Sequence, residues 1–390
     1  MRFARRVDTL AESATMRVTR RAAELRAAGR DVISFSVGEP DFDSPPSAVA
    51  AARRALAEGF TRYTPAAGIG ELRRALAARY AERHRTPWTP SDVLVTVGAK
   101  AGLFELMMVL LDEGDEMVLP IPAWVSFEAQ ARFAGARVVT VTTDWRDGYT
   151  IHAEPVIEAL SERTRVVLLN TPCNPTGGIV PADDLRRIVE ACADRGVVVI
   201  SDETYDRVIY DGLIFPSAAA LAREFPDTVV LVGSFSKTYA MTGWRVGFVL
   251  GPPALMAKVQ DLQSHMTSNP TSFAMRGALA ALEEAEDDVA TMIAAFSARR
   301  DLVIERLRAM PGVRCRPPAG TFFVLPDVSA CYRPGRRGSV ALAEHLLEVA
   351  GVAVVPGIAF GSDDHLRISF ASSIPDLERG LERMARALAD

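Results

Sequence analysis

A lysine, two serines and an arginine crowd one stretch of the chain, Gly233-Ser234-Phe235-Ser236-Lys237-Thr238 followed by Met241-Thr242-Gly243-Trp244-Arg245. The hydroxyls and the guanidinium are donors suited to a dianionic phosphate, and Lys237 adds an amine. Taken alone, the run equally describes a solvated turn. Two further stretches carry chemistry of their own. Ser201-Asp202-Glu203-Thr204-Tyr205 sets an acid and a phenol side by side, and Asn170-Thr171-Pro172-Cys173-Asn174-Pro175-Thr176-Gly177-Gly178 holds an amide in a backbone shaped by two prolines and two glycines. A helix-capping Asp and a structural turn are the alternative readings.

Each of these stretches follows a short apolar run rich in β-branched residues. Val166–Leu169, Val197–Ile200 and Val229–Val232 read as buried strands, as do Val93–Val97, Val138–Val141 and Val246–Leu250. Helical periodicity fills the gaps at Lys100–Leu111, Trp124–Phe133 and Ala182–Arg195, the last opening on Pro181-Ala182-Asp183-Asp184. Such alternation predicts an α/β fold with a mainly parallel sheet covered on both faces. In an open sheet of this kind ligands sit beyond the carboxyl ends of the strands, so three polar clusters at three such ends argue for one shared site. The last part of the chain differs, with helical stretches around Phe296–Met310, Val340–Val349 and Pro375–Leu388 about apolar segments Gly320–Leu325, Val352–Val355 and Leu366–Ser369. A smaller α+β domain is expected over residues 291–390, a large ligand-binding domain over 46–290, and an N-terminal segment, 1–45, packing with the small one. That segment carries a predicted helix, Thr15–Ala28.

Composition narrows the classes of function. The 390 residues are 49% hydrophobic and carry a net charge of −5, which disfavours a chain selected for nucleic-acid backbones. The longest stretch without Asp, Glu, Lys, Arg or His, Val166–Ala182, falls short of the roughly 20 apolar residues of a membrane span. No apolar run follows the arginines of Met1–Asp8, so a secretory signal is not indicated and a cytoplasmic location is expected. Cys173, Cys192, Cys315 and Cys331 show no C-x-x-C spacing, making reduced thiols the expectation. The five histidines form no metal-ligand cluster, and neither G-x-G-x-x-G after a strand nor a P-loop is present.

The three clusters, with Val354-Val355-Pro356-Gly357 and His365-Leu366-Arg367-Ile368-Ser369, resemble the class I/II pyridoxal-phosphate aminotransferases of fold type I. The likeness runs from Ser13 to the C-terminus and is nearest to the bacterial aspartate aminotransferases, through Ser36-Val37-Gly38-Glu39-Pro40-Asp41-Phe42 and Tyr63-Thr64-Pro65-Ala66-Ala67-Gly68. It implies pyridoxal 5'-phosphate as cofactor, a Schiff-base amine at Lys237 that also moves a proton, and Asp202 on the pyridine nitrogen. It assigns Asn174 and Tyr205 to the 3-hydroxyl oxygen, and Trp124 to stacking on the ring. Ordinary packing is the other reading of Trp124. Phosphate contacts fall to Ser234, Ser236, Arg245 and the backbone amides of Gly98, Ala99 and Lys100 at a helix start. The family's partner-subunit tyrosine matches Tyr63, which implies a homodimer with shared sites. Arg367 matches the arginine that grips the substrate α-carboxylate, with Gly38 contacting it through backbone.

Ser13, Thr15 and Lys100 match the residues that meet a distal carboxylate, so aspartate or glutamate is the expected amino donor and a 2-oxo acid the acceptor, by a ping-pong route. Departures from the family pattern at Ala101-Gly102, before the retained Leu103, at Ala123 and at Met275-Arg276 are expected to widen the pocket or admit a basic or cyclic side chain; an aromatic, prephenate-like or specialised amino acid is the alternative substrate. Elimination, decarboxylation or oxidation on the same scaffold is the rival chemistry. A ligand-sensing transcription regulator is the rival outside catalysis, set aside because about 12 residues before Ser13 leave no room for a DNA-binding module.

Overall fold

A computed structural model describes residues 1–4, 6–7 and 14–389. Seven strands build the central sheet: β2 (Val93–Thr96), β3 (Glu116–Ile121), β4 (Arg137–Thr142), β5 (Thr164–Asn170), β6 (Val198–Asp202), β7 (Val229–Ser234) and β8 (Gly247–Leu250). Their order is β2-β8-β7-β6-β5-β3-β4, with β8 antiparallel to both neighbours and every other pairing parallel. The apolar runs divide strictly by parity. Val167, Leu169, Val199, Val229 and Leu231 enter the core on one face, while Val166, Leu168, Ile200, Val230 and Val232 enter the core on the other. A strand buried on both faces must be apolar throughout, which is why these runs read as unbroken hydrophobic segments.

Strand β3 was not among the expected strands. Its sequence, Glu-Met-Val-Leu-Pro-Ile, opens on a charge and carries a proline, so no β-branched run marks it. Glu116 is tolerated there because three groups donate to its buried carboxylate: Arg137 Nη2 at 2.5 Å, Ser161 Oγ at 2.7 Å and Arg163 Nε at 2.8 Å. Those bonds hold its pKa down at about 2. The helix expected around Phe296–Met310 begins earlier, at Glu286, where Glu286, Asp287 and Asp288 complement the positive end of the helix dipole.

That helix, Glu286–Arg308, joins two cores without a linker. Val289 packs with the sheet, and Met292, Phe296, Val303, Ile304 and Leu307 pack in a second core. The second core also takes Ile33 and Phe35 from the N-terminal segment. There β1 (Ile33–Ser34) pairs in parallel with β10 (Val352–Ala353), while β11 (Val355–Pro356) and β9 (Phe323–Val324) flank β12 (Leu366–Ser369) antiparallel. All four cysteines are free and buried. Among the described residues, no helix is long and apolar enough to cross a membrane, and no group of His, Cys, Asp or Glu is arranged to hold a metal ion.

One buried charge is left without compensation. Glu105, on the helix Ala99–Leu110, is 0% exposed, and neither carboxylate oxygen has a hydrogen-bond partner among the described residues. Burial pushes its pKa up to about 7 from an ordinary 4.5. A carboxyl that holds its proton more tightly when folded loses stability as pH rises from the usual carboxylate range through 7. Glu105→Leu is therefore expected to stabilise the protein by about 3 kcal/mol at pH 8 and by distinctly less at pH 5. Thermal melts at the two pH values check this, and equal gains at both would sink the buried-charge account.

Candidate active site

Asn170, Asp202 and Ser234 close three adjacent strands, β5, β6 and β7, and in register Asn170 stands opposite Asp202. This edge is the floor of a cavity of about 340 Å³. The cavity walls bring together Gly38, Ala99, Lys100, Trp124, Asn174, Asp202, Tyr205, Ser234, Ser236, Lys237, Arg245 and Arg367, residues drawn from nearly the whole length of the chain. One shared site therefore replaces three separate turns.

The amine of Lys237 lies on the helical turn Phe235–Thr238, directly after β7, and its Nζ donates to the carbonyl of Gly38 at 2.6 Å. Burial lowers its pKa to about 8; the Glu39 carboxylate opposes this, while Arg245, Arg367 and Lys100 reinforce it. Asp202 is 4% exposed and accepts from Thr204 through the backbone N–H at 3.1 Å and the hydroxyl at 2.6 Å. Burial nonetheless raises its pKa to about 6. Asn170 braces the neighbouring strand end, donating to the Asp202 carbonyl at 3.2 Å and accepting from the Asn174 N–H at 2.8 Å. Tyr205 is buried edge-on against Phe322 and Phe323, and burial raises its pKa.

An anion cradle lies beside the amine. The helix Ala99–Leu110 starts at the cavity wall, which Ala99 and Lys100 line, and Ser234 Oγ accepts from the Ser236 N–H at 3.0 Å. Arg245 reaches across with its own backbone left-handed at φ 56°, a conformation that costs a non-glycine residue about 1 kcal/mol. Its guanidinium needs Gly98 as it stands: at φ 75° a side chain is disfavoured, and a Cβ there would come within 2.5 Å of an Arg245 nitrogen.

Arg367, on β12, is 2% exposed. It donates to Asn174 Oδ1 at 3.1 Å and to the Ser36 carbonyl at 2.7 Å, lies over the Phe323 ring at 4.3 Å, and its Nε has no hydrogen-bond partner among the described residues. Burial lowers its pKa to about 10. Lys100 Nζ sits 4.7 Å from the centre of the Trp124 ring, and burial, followed by the Arg245 charge, lowers its pKa.

Not every expected residue joins this assembly. Tyr63 is 89% exposed and absent from the cavity wall. Ser13 lies outside the described residues, and Thr15 falls within the first turn of the helix Ala14–Ala27. None of the departures expected to alter the pocket, Ala101, Gly102, Ala123, Met275 and Arg276, lines the cavity. Gly102 packs against the sheet, where a Cβ would come within 2.8 Å of Val249. Arg276 pairs with Glu71 at 3.1 Å over the Phe60 ring. Cavity-wall residues that the motif reading left without a role are Met16, Leu103, Ser126, Phe127, Asn170, Thr204 and Thr242. Thr204 carried a usable signal, a hydroxyl two positions after a strand-end Asp.

A buried free amine, a buried carboxylate and an anion cradle at the carboxyl edge of a mainly parallel sheet define a fold type I transferase, and its solved neighbours have the same fold. The family model "Aminotransferase class I and II" matches residues 30–384. The chain is 43% identical to a probable aspartate/prephenate aminotransferase of Aquifex aeolicus, over 100% of this chain and 99% of the relative. It is 40% identical to an aspartate aminotransferase of Geobacillus stearothermophilus, over 99% and 98%. The structure of the Thermus thermophilus aspartate aminotransferase with maleate superposes with a TM-score of 0.94 at 40% identity, covering 99% of this chain and 100% of that one. The chain belongs to the class I and II aminotransferase family and is a transaminase.

Proposed function

We propose that the protein uses pyridoxal 5'-phosphate to move the amino group of aspartate or glutamate to a 2-oxo acid, working as a homodimer to which Tyr63 contributes across the interface. The observation that carries this reading is the convergence of Lys237, Asp202, Arg367 and Lys100 on one cavity. The cavity fits the cofactor on its own chemistry. Among the described residues Lys237 Nζ donates to a single carbonyl and the buried Asp202 carboxylate accepts only from Thr204, and Gly98 leaves open the space that Arg245 needs beside a helix N-terminus.

When bound, the cofactor supplies an electron sink for the bond broken at the substrate Cα. The chain's residues do the rest. Ser234, Ser236, Arg245 and the amides of Ala99 and Lys100 hold the phosphate. Asp202 would accept from a protonated ring nitrogen and so keep its proton in place, Trp124 would pack on the ring, and Asn174 with Tyr205 would hydrogen-bond the 3-hydroxyl oxygen. Arg367 takes the α-carboxylate; its buried fork and unpartnered Nε suit a planar anion. Lys237 carries the proton to and from Cα.

Lys100 is the cation left for a second carboxylate, with Ser13 and Thr15 as its helpers. The related Thermus enzyme was solved with maleate, a dicarboxylate. The Aquifex relative's name favours a second acceptor, prephenate, whose two carboxylates would engage the same pair of cations. Single amino acids mixed with the cofactor-loaded enzyme test the donor: aspartate and glutamate should give pyridoxamine phosphate fastest. If no amino acid does so while pyruvate, CO2 or peroxide appears, transamination is the wrong assignment. In the same assay Lys100→Ala is expected to lower kcat/KM for acidic donors about 30-fold and for alanine hardly at all. An equal loss on all donors would give Lys100 a structural or phosphate-site role instead.

A further inference from the structure

The strip Gly38–Ser44 runs alongside Lys237–Trp244 through contacts that the roles above leave unused. The Gly38 carbonyl accepts from Lys237 Nζ, the Glu39 carboxylate accepts from the Thr242 hydroxyl, and Ser44 Oγ donates to the Ala240 carbonyl at 3.1 Å while accepting from Trp244 Nε1 at 2.9 Å. Between these points the strip is anchored to the helix Glu286–Arg308, where Arg299 donates to Asp41 at 2.6 Å and lies over the Phe42 ring at 5.1 Å. Thr242 and Gly38 line the same cavity as Lys237. The cations acting on the amine are Arg245, Arg367 and Lys100; Asp202 and Tyr205 share the cavity; and Glu39 is the carboxylate that offsets burial at Nζ.

We propose that Glu39 is a positioning residue for the Lys237 amine: through Thr242 it clamps the Gly38 carbonyl and a negative charge beside Nζ, keeping the amine oriented and protonated until a carbonyl reaches it. This rests on the reading of Lys237 as the carbonyl-binding amine. The geometry assigns separate parts to the two residues. E39Q can keep a hydrogen bond to Thr242 but removes the charge, and T242V keeps the charge but releases the carboxylate from its hold.

The test is the rate at which the cofactor-free full chain takes up pyridoxal phosphate at Lys237, followed by absorbance over a range of pH. Removing the negative charge makes the ammonium easier to deprotonate, so in E39Q the midpoint of the rate profile should fall by about half a pH unit and the rate below the midpoint should rise about threefold. T242V should shift the same way by less. A merely structural role for Glu39 would slow uptake at every pH, so that result overturns the proposal. Equal midpoints in the native chain and E39Q overturn it too, as does a T242V midpoint equal to the native one, which would mean the charge acts without the clamp. If the native chain binds no pyridoxal phosphate at Lys237, the reading of that lysine falls and the proposal with it. Normal uptake with unshifted variants sinks the proposal alone.

Discussion

Lys237→Ala is expected to lower kcat for amino-group transfer by at least about four orders of magnitude. Two functions are lost together. The amine is the group that would join the cofactor carbonyl, and in the proposed reaction it would also be the base at the substrate Cα. Its surroundings suit both tasks. Burial lowers the pKa to about 8 from the ordinary 10.5, so the neutral amine that adds to a carbonyl is more accessible than in an exposed lysine. The only hydrogen bond drawn from Nζ among the described residues goes to the Gly38 carbonyl, which can release it without leaving a buried ion unpaired. Single-turnover absorbance with aspartate and steady-state kcat measure the loss, and an unchanged circular dichroism spectrum separates it from unfolding. Full turnover in the variant would remove Lys237 from its assigned role.

Asp202→Asn is expected to lower kcat about a thousandfold, because a neutral amide cannot hold a proton on the ring nitrogen as a carboxylate does. The pH dependence gives a second, independent signature. With burial raising the Asp202 pKa to about 6, the carboxyl is neutral below that value and charged above it. Binding of a protonated ring nitrogen favours the charged form, so the native protein's affinity for pyridoxal phosphate should weaken as pH falls through 6. Asp202→Asn resembles the protonated form at every pH, and its weaker affinity should lack that dependence. Fluorescence titrations from pH 5 to 8 decide the matter. Parallel pH profiles in the two proteins would mean that Asp202 does not hold the ring nitrogen.

Much of this site was legible in the residues because parallel strands write themselves plainly. A strand covered on both faces is apolar through its middle, so the polar residues that close β5, β6 and β7, Asn170, Asp202 and Ser234, mark the strand ends where a ligand can sit. Strand β3 escaped notice for the converse reason: Glu116 is admitted to the sheet by Arg137, Ser161 and Arg163, partners that only the folded chain supplies. The departures at Gly102 and Arg276 read as pocket changes while their neighbours were unknown. Val249 behind Gly102, and Glu71 with Phe60 around Arg276, give them packing and pairing roles instead.

By itself, then, the sequence determined the α/β class and the family and marked the candidate reacting groups, because strand periodicity and motif spacing are local properties carried by consecutive residues. Only the tertiary structure decided which groups meet. The order β7-β6-β5 makes neighbours of Ser234, Asp202 and Asn170, and the docking of β12 delivers Arg367 onto Asn174 from 193 residues away along the chain. The strip Gly38–Ser44 reaches Lys237 across 199 residues. Those encounters also set the strengths of the acids and bases, since the burial that moves Lys237 down and Asp202 up is produced by packing between elements that no local pattern connects.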